Sequence, residues 1–203
     1  MRLSSTMSHH CLLAPIQECP AGYFMKDIKL AVLGTGSMGK SAMIVRYLTR
    51  RFIGDYEPNT GNLYSRLVHV EDDQIFLQIQ DTPGCIELQE DIPQMLDSLS
   101  RCLKWADGFL LVYSVTDCRS YQSIRPLFEQ IWKSRPDSKT PVIIVGNKAD
   151  LTHARQVAAK DGLQLANELD SVFLEISTSD TSKSISNVIL GQQPKDRWKN
   201  DLR

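Results

Sequence analysis

The chain of 203 residues carries 23 Lys and Arg against 24 Asp and Glu, with 4 His and 5 Cys. On length it is one domain with tails, and the near-balanced charge leaves no basic footprint for direct nucleic-acid binding. The cysteines (Cys11, Cys19, Cys85, Cys102, Cys118) form neither a C-x-x-C pair nor an even framework, which argues against a disulfide scaffold and for free thiols in a reducing compartment.

Residues 1–25 lack apolar periodicity and hold Ser, Pro and Gly, so they read as a disordered arm. Within it, Cys11-Leu12-Leu13-Ala14 is too short for a signal-peptide core or a bilayer span. His9-His10 beside Cys11 is only a weak metal-like grouping. From there the pattern alternates strand and helix without internal repeats. Strands are predicted near 28–33, 63–70, 75–80, 108–115, 141–146 and 172–176, and helices near 40–50, 91–105, 119–134, 154–169 and 182–190. Glu71-Asp72-Asp73 after the second strand marks a hairpin, so one edge strand is expected to run antiparallel in a six-stranded, mostly parallel sheet with helices on both faces.

The first strand, Ile28 to Leu33, runs into Gly34-Thr35-Gly36-Ser37-Met38-Gly39-Lys40-Ser41. This is the G-x-x-x-x-G-K-[ST] phosphate loop in the strand–loop–helix context that the motif requires. Glycines let the backbone curl until successive N–H groups face inward as an anion nest, and the helix start adds its own unpaired N–H groups. Lys40 is expected to reach the β- and γ-phosphates, and the Ser41 hydroxyl to ligate Mg²⁺. A second strand end carries Asp81-Thr82-Pro83-Gly84. Asp81 is the expected magnesium carboxylate, and the Gly84 N–H a contact for the γ-phosphate.

The strand Val142 to Gly146 ends at Asn147-Lys148-Ala149-Asp150, at the carboxyl edge where open α/β sheets bind ligands. A carboxylate there accepts from guanine N1–H and the exocyclic amine. Adenine offers neither donor and would leave that carboxylate unpaired, at roughly 1–3 kcal/mol. Asn147 would tie the base loop to its neighbours and the Lys148 stem would cover the base. Read in order, these segments describe a pocket for GTP or GDP with Mg²⁺.

From about Asp27 to about Ile189 the chain resembles the Ras branch of the small GTPases, most closely the Ras-like family 11 type. Further residues carry the likeness. Arg51-Phe52-Ile53-Gly54-Asp55-Tyr56-Glu57-Pro58 is similar to a first switch region, with Phe52 at the guanine edge, and Leu174-Glu175-Ile176-Ser177-Thr178 to the last base-contacting segment. The resemblance implies a small-GTPase domain over 26–190 and a guanine-nucleotide switch with slow GTP hydrolysis. Protein effectors, exchange factors or activating proteins would be read through residues 52–64 and 82–100, and the protein would be a monomer.

Departures from the family pattern qualify that expectation. Asn59 stands where the family has its magnesium-sensing Thr, with Thr60 one place later; either an amide oxygen or a shifted hydroxyl would serve. Cys85 replaces the water-orienting Gln. A thiol is shorter, a weak donor and a poor acceptor, so hydrolysis is expected to be slower than in Ras. The alternative is a non-hydrolysing, GTP-dependent binding module. Pro83 lacks an N–H and stiffens the second switch. Ser37 replaces a loop Gly, and Ser179 a Lys packed near the base. These two changes predict weaker affinity and faster exchange.

Toward the carboxyl end, Ile185, Val188 and Ile189 begin an apolar helical face that Gly191 and Pro194 end. The last helix is therefore expected to be shortened, followed by a polar tail over 191–203 and lower stability. No prenylation box or polybasic run is visible, so the expectation is a soluble protein of cytosol or nucleus without a lipid anchor. A chain too short to hold nucleotide at all is a third reading, and an ATP-using kinase the least favoured.

Overall fold

The computed structural model describes residues 26–49, 62–70, 73–84, 93–136 and 140–178. The expectations for the arm, Phe52, Asn59, Thr60, Cys85, Ser179, the helix near 182–190 and the tail fall outside these residues.

Six strands form one sheet: β1 (Lys26–Leu33), β2 (Leu63–Val70), β3 (Asp73–Asp81), β4 (Gly108–Ser114), β5 (Val142–Asn147) and β6 (Val172–Glu175). Their order is β2-β3-β1-β4-β5-β6. β2 pairs antiparallel with β3, and the other neighbours run parallel. Among the described residues five α-helices accompany them: α1 (Lys40–Thr49), α2 (Pro93–Trp105), α3 (Cys118–Gln122), α4 (Ile124–Ser134) and α5 (Ala159–Glu168).

Period-two side-chain alternation divides the apolar runs between two faces. Leu30 and Val32 of β1, Leu110 and Val112 of β4, and Ile143 and Val145 of β5 pack with Met43, Ile44 and Tyr47 of α1. Ala31, Leu33, Phe109, Leu111, Tyr113, Val142 and Ile144 pack on the other side with Leu127 and Ile131 of α4 and Leu165 and Ala166 of α5. Every residue of β4 and β5 is buried, as expected of central parallel strands covered on both faces.

Two predicted helices are corrected. The helix expected over 119–134 is two pieces that meet at Ser123. Pro126 has no N–H for the Gln122 carbonyl, and its ring crowds that carbonyl, so the hydrogen-bond ladder is interrupted around Ser123, whose backbone stays helical (φ −73, ψ −15) and whose Oγ donates to the Ser120 carbonyl at 2.7 Å. The helix expected over 154–169 starts only at Ala159, after a 3₁₀ turn at Thr152–Ala154. Asp161 then reaches back to the Ala158 N–H at 3.3 Å, supplying the reciprocal acceptor of a helix start.

Candidate nucleotide site

The loop between β1 and α1 is shaped by two glycines. Gly34 has φ +152, and a Cβ there would lie 2.2 Å from the Val112 carbonyl oxygen of β4. Gly39 has φ +85, and its Cβ would lie 2.5 Å from Asn147 Nδ2. Side chains at either place meet both a disfavoured backbone region and a filled space. Ser37 also sits at positive φ, +61. The position where the family has Gly therefore does demand the left-handed region, and this chain meets it with a residue that bears a Cβ.

Lys40 opens α1 and is buried, at 5% exposure. Its ammonium donates to the carbonyls of Gly34 and Thr35, each at 2.9 Å, which places a positive charge inside the curl of the loop. One residue on, Ser41 Oγ donates to Asp81 Oδ2 at 2.5 Å. Asp81 is at the end of β3 in register with Val32 of β1, and Thr82 Oγ1 secures the exit by donating to the Val32 carbonyl at 2.6 Å. Burial pushes the Asp81 carboxyl above its ordinary range, opposed by the Ser41 hydrogen bond and the Lys40 charge.

Asp81 Oδ1 is buried and has no hydrogen-bond partner. A hydroxyl and a half-satisfied carboxylate beside this glycine-shaped loop fit Mg²⁺, which takes one or two protein oxygens and draws the rest from phosphate and water. Among the described residues no group of three His, Cys, Asp or Glu side chains could cage an ion, so phosphate oxygens would have to complete such a site. Gly84, the other end of the Asp-Thr-Pro-Gly turn, has its carbonyl 3.5 Å from where a Gly36 Cβ would stand. The turn therefore lies against the loop.

On its other side the loop is joined directly by the tetrapeptide. Asn147 is fully buried, and its Nδ2 donates to the Met38 carbonyl at 2.7 Å, while its Oδ1 has no partner. Lys148, at φ +64, lays its stem toward the loop and donates from Nζ to the Ser37 carbonyl at 2.9 Å. Ala149 N–H donates to the Ile176 carbonyl at 3.1 Å, which draws the buried Ser177 and Thr178 to the same edge. Asp150 is exposed there, where a purine would meet it. The predicted residues Gly34–Ser41, Asp81–Gly84, Asn147–Asp150, Ser177 and Thr178 thus lie at the carboxyl edge of the central strands.

Several contributors that the sequence does not reveal act through main chain. The Val112 carbonyl limits Gly34. Val115 donates its N–H to the Asn147 carbonyl at 3.0 Å and accepts from the N–H groups of Gln156 and Val157 at 2.8 and 3.0 Å. Backbone roles of this kind leave no side-chain signature. A separate cleft of about 230 Å³ lies between α3 and α5, beside Tyr121, Arg125, Asp161 and Glu168. Its polar groups are paired with one another, Arg125 with Glu168 and the Tyr121 hydroxyl with the Asp161 carbonyl.

A family model described as "Ras family" matches residues 29–191. Ras-like protein family member 11A of Homo sapiens is 67% identical over 184 residues, which is 90% of this chain and 76% of that protein. The Mus musculus protein of the same name is 66% identical over the same length and shares. Ras-like protein family member 11B of Mus musculus is 46% identical over 160 residues, 79% of this chain and 64% of its own.

Proposed function

The chain belongs to the Ras family of small GTPases, and on that premise we propose that it is a GTP-operated switch with unusually slow hydrolysis. What supports the nucleotide reading most is the pair of hydrogen bonds from Asn147 to Met38 and from Lys148 to Ser37. They join a phosphate-binding loop to a guanine-selective one, so that a single ligand spans both. In this reading the loop N–H groups and Lys40 hold the β- and γ-phosphates, and Ser41 and Asp81, with Asn59 or Thr60, hold Mg²⁺. Asp150 accepts from guanine N1–H and the exocyclic amine, Thr178 donates its N–H to O6, and Phe52 stacks on the base edge.

Mg²⁺, once bound, offsets charge on the β- and γ-phosphate oxygens. Lys40 adds a fixed positive charge in a buried setting, where it needs no reorganisation as charge moves to the leaving oxygen. The Gly84 N–H meets the γ-phosphate and reports its presence to the segments on either side, 52–64 and 82–100, through which effectors and regulators bind. The reading is of a monomer that makes no direct nucleic-acid contact.

Water attacks the γ-phosphate in line, and its orientation normally falls to a Gln side chain. The sequence has Cys85 in place of that Gln, and a thiol is shorter and a poor acceptor. A second reading, a GTP-dependent binding module that does not hydrolyse, rests on the same residue. Competition of GTP against ATP on purified protein tests the first claim; equal retention of both would overturn it. Single-turnover phosphate release tests the second. We expect a rate below the order of 10⁻⁴ s⁻¹ that rises in Cys85→Gln, whereas a rate at or above that figure would refute slow hydrolysis. Release that stays undetectable in the presence of activating proteins would favour the binding module.

A further inference from the structure

The segment that follows Asp150 is closed on itself and latched to the neighbouring strand. It leaves the sheet at Asn147, whose carbonyl accepts from Val115 N–H, passes through the 3₁₀ turn, and returns where Gln156 and Val157 donate to the Val115 carbonyl. Both ends of the base loop are thus anchored on one residue, Val115. Between the turn and the return lies Arg155. Its Nη1 donates to Glu175 Oε1 at 2.8 Å and its Nη2 to Glu175 Oε2 at 3.0 Å, and Nη1 also donates to the Val157 carbonyl at 3.0 Å.

Glu175 ends β6 and stands in register with Gly146, the residue before Asn147. The next residue, Ile176, donates to the Gly146 carbonyl and accepts from Ala149 N–H, and it leads into Ser177 and Thr178. One two-pronged ion pair therefore ties the loop that carries Asp150 to the strand that delivers Thr178. Exposed pairs contribute little, but these side chains are only 24% and 19% exposed, and the parallel guanidinium–carboxylate geometry fixes orientation as well as distance.

We propose that Arg155 and Glu175 are positioning residues that hold the two guanine-facing segments in mutual register and so set how long nucleotide stays bound. The inference rests on the guanine-nucleotide reading above. Neither residue touches the phosphate end, where Lys40, Ser41 and Asp81 are held by different bonds. Loosening the pair should raise the off-rate without altering the chemical step. It should also blur base recognition, because the exocyclic amine of guanine is read through Asp150 alone.

The test compares wild type, Arg155→Ala and Glu175→Gln in three measurements: GDP off-rate, the ratio of GDP to inosine diphosphate off-rates, and single-turnover hydrolysis of pre-bound GTP. Inosine lacks the exocyclic amine, so the ratio reports the alignment of Asp150 and does not move when the fold is merely less stable. We expect GDP release to quicken about five- to tenfold in both variants. The GDP advantage over inosine diphosphate should shrink, with hydrolysis of bound GTP within about twofold of wild type. Unchanged off-rates would overturn the inference. So would faster release with the guanine-to-inosine ratio intact, which is the signature of general loosening. If wild type retains ATP as firmly as GTP, the guanine reading itself fails and takes this inference with it.

Discussion

Asn147 Nδ2 lies 2.7 Å from the Met38 carbonyl oxygen, and it occupies the place that a side chain on Gly39 would take. A methyl group at Gly39 would stand 2.5 Å from the same nitrogen, at a φ of +85. The junction of the two loops therefore depends on a glycine that reads, in the motif, as a phosphate-loop requirement. Gly39→Ala should part the loops and lower GDP affinity by at least about tenfold, since a shift of about an ångström can cost far more than that in a preorganised site. Equilibrium competition binding measures it, with circular dichroism to show that the fold survives. Wild-type affinity in a folded variant would contradict the junction.

Ser37 makes a contrasting case. Its φ of +61 places an L residue in the left-handed region, which costs roughly 1–2 kcal/mol, while a glycine there loses about 0.4–1 kcal/mol through the greater freedom of its unfolded chain. The difference favours the folded variant. Ser37→Gly is expected to stabilise the protein by about 0.5–1 kcal/mol in urea denaturation and to slow GDP release, because the Ser37 carbonyl is the acceptor for Lys148. A midpoint that falls would show that the serine is held by contacts that outweigh its strain.

The contrast between these two positions marks how far the site was legible beforehand. The phosphate loop and the Asn-Lys-Ala-Asp turn could be read because each demands particular residue types for steric or hydrogen-bonding reasons that a sequence displays. The central strands could be read because burial on both faces makes β4 and β5 unbroken apolar runs. The break at Ser123 was missed because its cause, Pro126, acts on a carbonyl four residues back. Arg155 carries no signal, and Glu175 is visible only as a member of the last base-contacting segment: their pairing appears once β5 and β6 pair. Val112 and Val115 contribute carbonyls and an N–H that any residue would supply.

Asp81 yields a prediction about metal. Its Oδ2 accepts from Ser41 at 2.5 Å while Oδ1 is buried without a partner, an arrangement that leaves one acceptor over for a cation's coordination shell. Removing the charge by Asp81→Asn should weaken GTP binding by about 10- to 100-fold, the usual scale for a partner that orients a metal's ligands. A chelator should speed release from wild type and have little further effect on the variant. Fluorescent-nucleotide release with and without chelator makes the comparison. Equal acceleration in both proteins would mean that the ion does not depend on Asp81.

Cys102 supplies the pH dependence. It lies in α2 against the core face that holds Leu103 and Ile131, and burial pushes its thiol from 9.0 up to about 11. Folding thus retains a proton that the unfolded chain gives up sooner. The resulting stability is complete below pH 9, declines as pH rises toward 11, and is gone above it. At pH 8 only about a thousandth of the folded Cys102 is thiolate, the reactive form. Cys118, by contrast, is exposed at the start of α3. Iodoacetamide at pH 8 followed by peptide mass mapping should therefore label Cys118 promptly and Cys102 only after denaturant is added. Raising the pH from 8 to 10 should increase Cys102 labelling and lower the urea midpoint together, since both follow from the same proton. Labelling of Cys102 as fast as Cys118 in the native protein would show that α2 does not shield it.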